Sequence, residues 1–200
     1  MKKTSSLFSL AIAAILSTSV AIAGGNPGPF KVNTAKSNLK WTASKVTGKH
    51  EGTVKLASGS LNSDGKHLTG GTFDIDMSTI KCTDIADAET AGKFVGHLKS
   101  EDFFGVEKHK TAHFVISKVT PKSGNEVEVS GKMTIKGITK DITFPATVVH
   151  SAKAISTKAK ITIDRTDFDV RFGSGKFFTD LGDKIINDEF IIDIDLETGA

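Results

Sequence analysis

The sequence predicts an all-β protein with a small helical insertion, its eight strands antiparallel and closed into a barrel. Three observations carry that reading. Apolar residues alternate with period two along most of the chain, turn signals separate the alternating runs, and helical spacing occurs in one segment only.

NLKWTASKV sets Leu39, Trp41 and Ala43 on one face, and GGTFDIDM does the same with Phe73, Ile75 and Met77. TAHFVIS aligns Phe114 with Ile116, and EVEVSGKMTIKG alternates through Val127, Val129, Gly131, Met133 and Ile135. DITFPATVV groups Ile142, Phe144, Ala146 and Val148. STKAKITIDR sets Thr157, Ala159, Ile161 and Ile163 against Lys158, Lys160, Thr162 and Asp164. The last run opposes Phe190, Ile192, Ile194 and Leu196 to Ile191, Asp193, Asp195 and Glu197. Successive side chains of a strand point to opposite faces, so each run reads as a strand with one buried and one wet face. Strands are expected near 38–46, 52–61, 66–77, 111–120, 126–136, 140–150, 153–165 and 185–197. Asp64-Gly65 is a hairpin signal, and turns are expected at PKSGNE (121–126) and KGITK (136–140). Between Ile80 and Phe104, Ala91, Phe94 and Leu98 recur at helical spacing, with Thr83 or Asp84 as the N-cap. Mostly sequential hairpins suit an up-and-down barrel better than a sandwich.

The N-terminus reads as a cleaved export signal over residues 1–23. A short positive start (Met1 to Lys3) precedes an apolar stretch from Leu7 to Val20, and Ala21 and Ala23 supply the small residues of a peptidase site. Residues 24–36 read as an N-terminal extension and 37–200 as one barrel domain. Export places the protein in the periplasm or outside the cell, with no stable membrane insertion. Removing residues 1–23 lowers the net charge from +3 to +1, since only Lys2 and Lys3 are lost. A near-neutral chain with dispersed lysines is no nucleic-acid binder. Cys82 is the single cysteine, so no intrachain disulfide forms. An inert buried thiol is the favoured reading, with a homodimer through a sheet edge or Cys82 as the other.

Several motifs fail on inspection. GSGK (173–176) lacks the first glycine of a phosphate loop, where Val170 stands, and Phe177 replaces the magnesium-binding hydroxyl. DIDLETG (193–199) starts like a calcium loop but has Thr198 where glycine is needed. His109 and His113 lie four apart beside a lysine-rich turn with no third ligand in sequence reach, so no metal is expected. Asp164, Asp167 and Asp169 surround Arg165, which reads as an ion-paired corner rather than a catalytic carboxylate pair. No nucleophile elbow, cysteine–histidine pair or dinucleotide fingerprint occurs, so neither catalysis nor a cofactor is expected.

What stands out is aromatic. The chain has 13 phenylalanines, one tryptophan and no tyrosine. Phe94, Phe103, Phe104, Phe168, Phe172, Phe177 and Phe178 fall outside the expected strands. An eight-stranded barrel is just wide enough to be filled by side chains or to hold one small ligand. These rings therefore either line the mouth of an apolar pocket or plug the barrel ends as core. Composition does not choose.

Six segments carry a resemblance: VTGKHEGTVKLASGSL, GGTFDIDMSTI, GHLKSEDFFGVEKHKTAHFVIS, VSGKMTIKGITKDITFPATV, KAKITIDRTDFDVRF and GDKIINDEFIIDIDL. Together, from about Ser37 to Leu196, they resemble the YceI-like family of bacterial lipocalin-like barrels described as polyisoprenoid-binding. HLKSEDFF, the G-x-[LM]-T-I-x-G turn and the D-R-T-x-F strand end are the specific pieces. The resemblance implies an internal apolar pocket holding a long isoprenoid chain, a polyprenyl phosphate or a quinone, with neither metal nor catalytic set. It implies a lipid-contacting set from the strands: Trp41, Phe73, Phe114, Ile116, Met133, Phe144, Ile161, Phe190 and Ile192. Leu98, Phe103 and Phe104 match family motif positions, and Phe94 and Phe168 join them as rings beside the barrel. His97 and Arg165 match further motif positions and become head-group candidates, His97 also as a brace between helix and barrel. Asp169 stands where the family pattern has glycine, and KHKTAH lacks the usual Tyr-Pro. The long connection 167–183 reads as a lid whose Arg171 and Lys176 face a phosphate or quinone head group. The other reading is a non-catalytic interaction or stress protein with a filled barrel.

Overall fold

The computed structural model describes residues 27–151 and 153–199, so the export signal read over 1–23 lies outside the described residues. In chain order the elements are β1 (Gly28–Lys31), β2 (Asn38–Lys45), β3 (Gly48–Ser63), β4 (Leu68–Cys82), α1 (Ala88–Lys99), β5 (Thr111–Pro121), β6 (Glu126–Ile135), β7 (Ile138–His150), β8 (Ile155–Asp164) and β9 (Ile186–Glu197). Each strand from β2 to β8 pairs antiparallel with the next, and β9 pairs with both β8 and β2. Eight strands therefore close into a barrel, as the alternation predicts.

β1 is the element that alternation does not reveal. Its four residues, Gly-Pro-Phe-Lys, are too few for a pattern, and they lie in the stretch read as an N-terminal extension. They pair with the far half of β3, Phe30 opposite Leu61, where β2 no longer covers that strand. Val32 then bridges to Thr198, so β1 completes the seam between β3 and the end of β9.

β3 and β4 are longer than expected. Register shifts interrupt the period-two pattern of β4 between Asp76 and Lys81, opposite Thr53–Lys55, and that of β3 at Ala57, between Leu56 and Ser58. Such bulges insert a residue and bend the strand, which breaks alternation without ending the ladder. The N-cap of α1 is Asp87, whose carboxylate accepts from the Thr90 backbone N–H, and not Thr83 or Asp84. Those two are still tied to the β3 rim. Thr83 donates to the Glu51 carbonyl, while the Asp84 carboxylate accepts from the Glu51 N–H. The β6–β7 turn is the tight hairpin expected, with Lys136 and Gly137 both at positive φ (51° and 76°).

The up-and-down order puts the β3–β4, β5–β6 and β7–β8 hairpins at one end of the barrel. The other end carries α1 and the 165–185 connection, making a covered mouth. Cross-strand neighbours Ile161, Ile192, Trp41 and Gly52 form one layer near that mouth. Gly52 is required there because a Cβ would collide with the Trp41 indole and the Lys81 carbonyl. Gly131 is required for the same reason, since its Cβ would come 2.6 Å from the Phe114 ring.

Candidate functional site

Inside the barrel lies a cavity of about 190 Å³, with apolar walls nearly throughout. The alternating strands place its lining. Trp41, Phe73, Phe114, Ile116, Met133, Phe144, Ile161, Phe190 and Ile192 all face it. Phe73, Phe114 and Phe144 form a chain of rings with centroids 6.3 and 5.6 Å apart. At the mouth, Phe94 and Leu98 reach in from α1, and Phe103 and Phe104 from the following turn. Phe94 sits 6.4 Å from Trp41, and Phe104 meets Phe190 edge-on at 6.4 Å. Phe168 does not line the cavity. It belongs to a 3₁₀ turn (Arg165–Phe168) just past β8, is 1% exposed and packs into the core.

Sequence reasoning left further lining residues unassigned, among them Val54, Leu56, Leu61, Thr157 and Asn187. Val54 and Leu56 alternate and were legible. Thr157 was placed on the inward face with Ala159 and Ile161, but a hydroxyl gave no signal for a cavity wall. Two buried polar atoms of the wall, Trp41 Nε1 and Thr157 Oγ1, have no hydrogen-bond partner among the described residues.

The four head-group candidates are distributed differently. Arg165 reaches the cavity wall, yet its side chain is only 5% exposed and all five N–H donors are engaged. Nε donates to the Asn187 carbonyl. One terminal nitrogen donates to the carbonyls of Val170 and Phe172, the other to the Ile186 carbonyl and the Asp188 carboxylate. Burial pushes its pKa below the ordinary arginine value, against the pull of Asp188 and Asp164. Arg165 is thus the rivet that holds the 165–172 turn to the start of β9.

Arg171 and Lys176 lie outside the cavity lining. Arg171 pairs with Asp169 at 2.7 Å and lies over the Phe177 ring at 4.6 Å. Lys176 pairs with Asp164 at 2.6 Å and with Asp188 at 3.5 Å. Burial alone would raise the Asp164 pKa, but hydrogen bonds from Lys176 and Thr166 outweigh it and leave the carboxyl below its usual value. Asp169 adopts the left-handed conformation (φ 58°), a geometry glycine takes without strain and aspartate tolerates. His97 sits between rings, 4.9 Å from Phe103 and 4.7 Å from Phe172, with Nε2 on Asp102 at 3.1 Å. It braces α1 against the 165–185 connection. In the GSGK run Ser174 is fully buried and its hydroxyl accepts from the Lys176 N–H, so the run folds on itself as a compact turn.

The pattern of the YceI-like domain matches residues 30–198. The chain belongs to the YceI-like family. The Escherichia coli O157:H7 protein YceI is 27% identical over 150 residues, covering 72% of each chain. A Pseudomonas fluorescens UPF0312 protein is 31% identical over 114 residues, which span 50% of this chain and 59% of that protein. Among solved structures, Burkholderia cenocepacia BcnA superposes with a TM-score of 0.69 at 26% identity, covering 84% of this chain and 99% of that one. A polyisoprenoid binding domain from Saccharophagus degradans superposes with a TM-score of 0.65 at 17% identity, over 88% of this chain and 99% of its own; that likeness is one of fold.

Proposed function

We propose that this YceI-like protein is an exported, non-catalytic carrier that holds the apolar chain of an isoprenoid-type lipid inside the barrel. The observation that carries the reading is the apolar barrel interior, ringed by aromatics and flanked at its mouth by a helix that is itself poorly buried. The Saccharophagus domain of the same fold, described as polyisoprenoid-binding, supports the ligand class. Transfer of the chain from water contributes roughly 25 cal/mol for each square ångström of apolar surface removed. A quinone or hydroxyl-bearing lipid also answers the two unpaired groups, since Trp41 Nε1 donates and Thr157 Oγ1 donates or accepts. An anionic head group at the rim would exchange with Asp169 for Arg171 or with Asp164 for Lys176.

The cavity volume favours a second reading. About 190 Å³ is close to the roughly 150 Å³ apolar cavity that takes a benzene ring, and below the roughly 300 Å³ of ordinary ligand pockets. A long chain enters only if Phe94 and its neighbours move aside. A barrel that stays filled belongs to an interaction protein instead. Organic extraction and mass spectrometry of natively purified protein separates the two. A stoichiometric polyprenyl or quinone species supports the carrier. An empty extract, together with no uptake of added polyprenol or quinone, supports the filled barrel.

A further inference from the structure

At the outer rim of the barrel mouth, on residues that do not themselves line the cavity, three side chains of different chemistry converge. They are His50 near the start of β3, Cys82 at the end of β4 and Asp84 two residues later. One ligand atom from each, an imidazole nitrogen of His50, Cys82 Sγ and an Asp84 oxygen, lies within 4.8 Å of the others. The two Asp84 oxygens already divide between the partners: Sγ donates to Oδ1 at 3.0 Å, and Nδ1 contacts Oδ2 at 2.9 Å. Pairing of β3 with β4, Gly52 opposite Cys82, holds two of the three on adjacent strands. The Glu51 backbone N–H fixes the third by donating to Oδ1 at 3.1 Å.

We propose that His50, Cys82 and Asp84 form a binding site for a borderline transition-metal ion of the zinc class. Imidazole, thiolate and carboxylate on one tetrahedral ion at about 2.0–2.3 Å sit roughly 3–4 Å from each other, a contraction of roughly 1–2 Å at most from the present spread. A thiolate and an imidazole select zinc, cobalt or copper over magnesium or calcium, which take oxygen ligands. On binding, the Cys82 S–H proton leaves to solvent. Thiolate and carboxylate then cancel the 2+ charge, and the neutral imidazole completes a three-ligand set with a fourth position open to water. The Asp84–Glu51 hydrogen bond and the packing of the His50 ring on Phe94 (4.6 Å) supply the outer contacts that orient such ligands. The bound ion clamps the segment leading into α1 to the β3 rim.

The site is absent from any sequence motif because its ligands are 32 and 2 residues apart and meet only through strand pairing. Its test is a titration of the full exported chain, with the thiol kept reduced, using cobalt(II) alone and then zinc(II) as competitor. One equivalent of cobalt is expected to give a thiolate-to-cobalt charge-transfer absorption that zinc removes. Cys82→Ser abolishes that absorption. His50→Ala and Asp84→Asn each weaken cobalt affinity at least tenfold, since even outer contacts of metal ligands are worth about 10–100-fold. Circular dichroism of each variant verifies the fold. Cobalt bound without the charge-transfer absorption, absorption that persists in Cys82→Ser, or affinity unmoved by His50→Ala overturns the assignment and leaves scattered surface histidines as the binders.

Discussion

Arg165 shows how one side chain can organise the rim of a barrel through backbone carbonyls. Its five donors satisfy four carbonyls and a carboxylate drawn from the 170–172 turn and from 186–188. Removing it leaves those acceptors buried and unpaired. Arg165→Ala is therefore expected to lose about 3–5 kcal/mol of unfolding free energy in urea denaturation. Lysine does not rescue it, because a point charge cannot reproduce the planar fork. A loss under about 1 kcal/mol would show that the turn is held by something else. Asp164, next to it, gives a pH-dependent counterpart. Its folded-state pKa is lowered, so its contribution is complete above the ordinary value of 3.8 and fades as pH falls through the lower folded value. The stability gap between the natural protein and Asp164→Asn should be full at neutral pH and close in acid below 3.8. A gap independent of pH down to that range would remove the Lys176–Asp164 pair from the account. The sequence marked Arg165 as a motif position and placed carboxylates around it. It did not reveal that the donors point at backbone, because carbonyl partners leave no trace in residue identity.

At the scale of elements, α1 is the weak part of an otherwise continuous sheet. None of its residues is fully buried, and it carries glycines at 92 and 96 in its interior. A Cβ at either position meets nothing within 4 Å. Glycine in a helix interior costs about 1 kcal/mol relative to alanine. Gly92→Ala and Gly96→Ala should therefore each stabilise the helix by about that much and raise the melting temperature by about 2–4 °C. If lipid enters past Phe94, the same changes slow its uptake while leaving the cavity walls intact. Stopped-flow uptake as fast in the double variant as in the natural protein would place the entry route elsewhere. The strands were far more legible than this helix, because period-two burial repeats over ten or more residues. The helix cap was misplaced by three or four residues, since Thr83 and Asp84 make their hydrogen bonds to β3. β1 escaped because its pairing depends on where β2 stops, a property of the folded barrel and not of GPFK.

On the scale of the whole molecule, the carrier and the filled barrel differ in one linked quantity, the stability change produced by ligand. A lipid that binds the folded chain and not the unfolded one stabilises it by RT ln(1 + [L]/Kd), about 2.7 kcal/mol at a hundredfold excess over Kd. For a chain of 200 residues that corresponds to a rise of roughly 5–10 °C in melting temperature. The single tryptophan gives a second readout at the site itself. Trp41 lies in the cavity wall with its indole N–H unpaired among the described residues, so a chain or carbonyl arriving there changes its emission. Polyprenol and quinone added from detergent should produce the thermal shift and the emission change together, with the same midpoint. A thermal shift without an emission change would mean binding outside the barrel. Neither change, with lipid in large excess over protein, would mean that Phe94 and its neighbours never part, and that the fold serves a surface role.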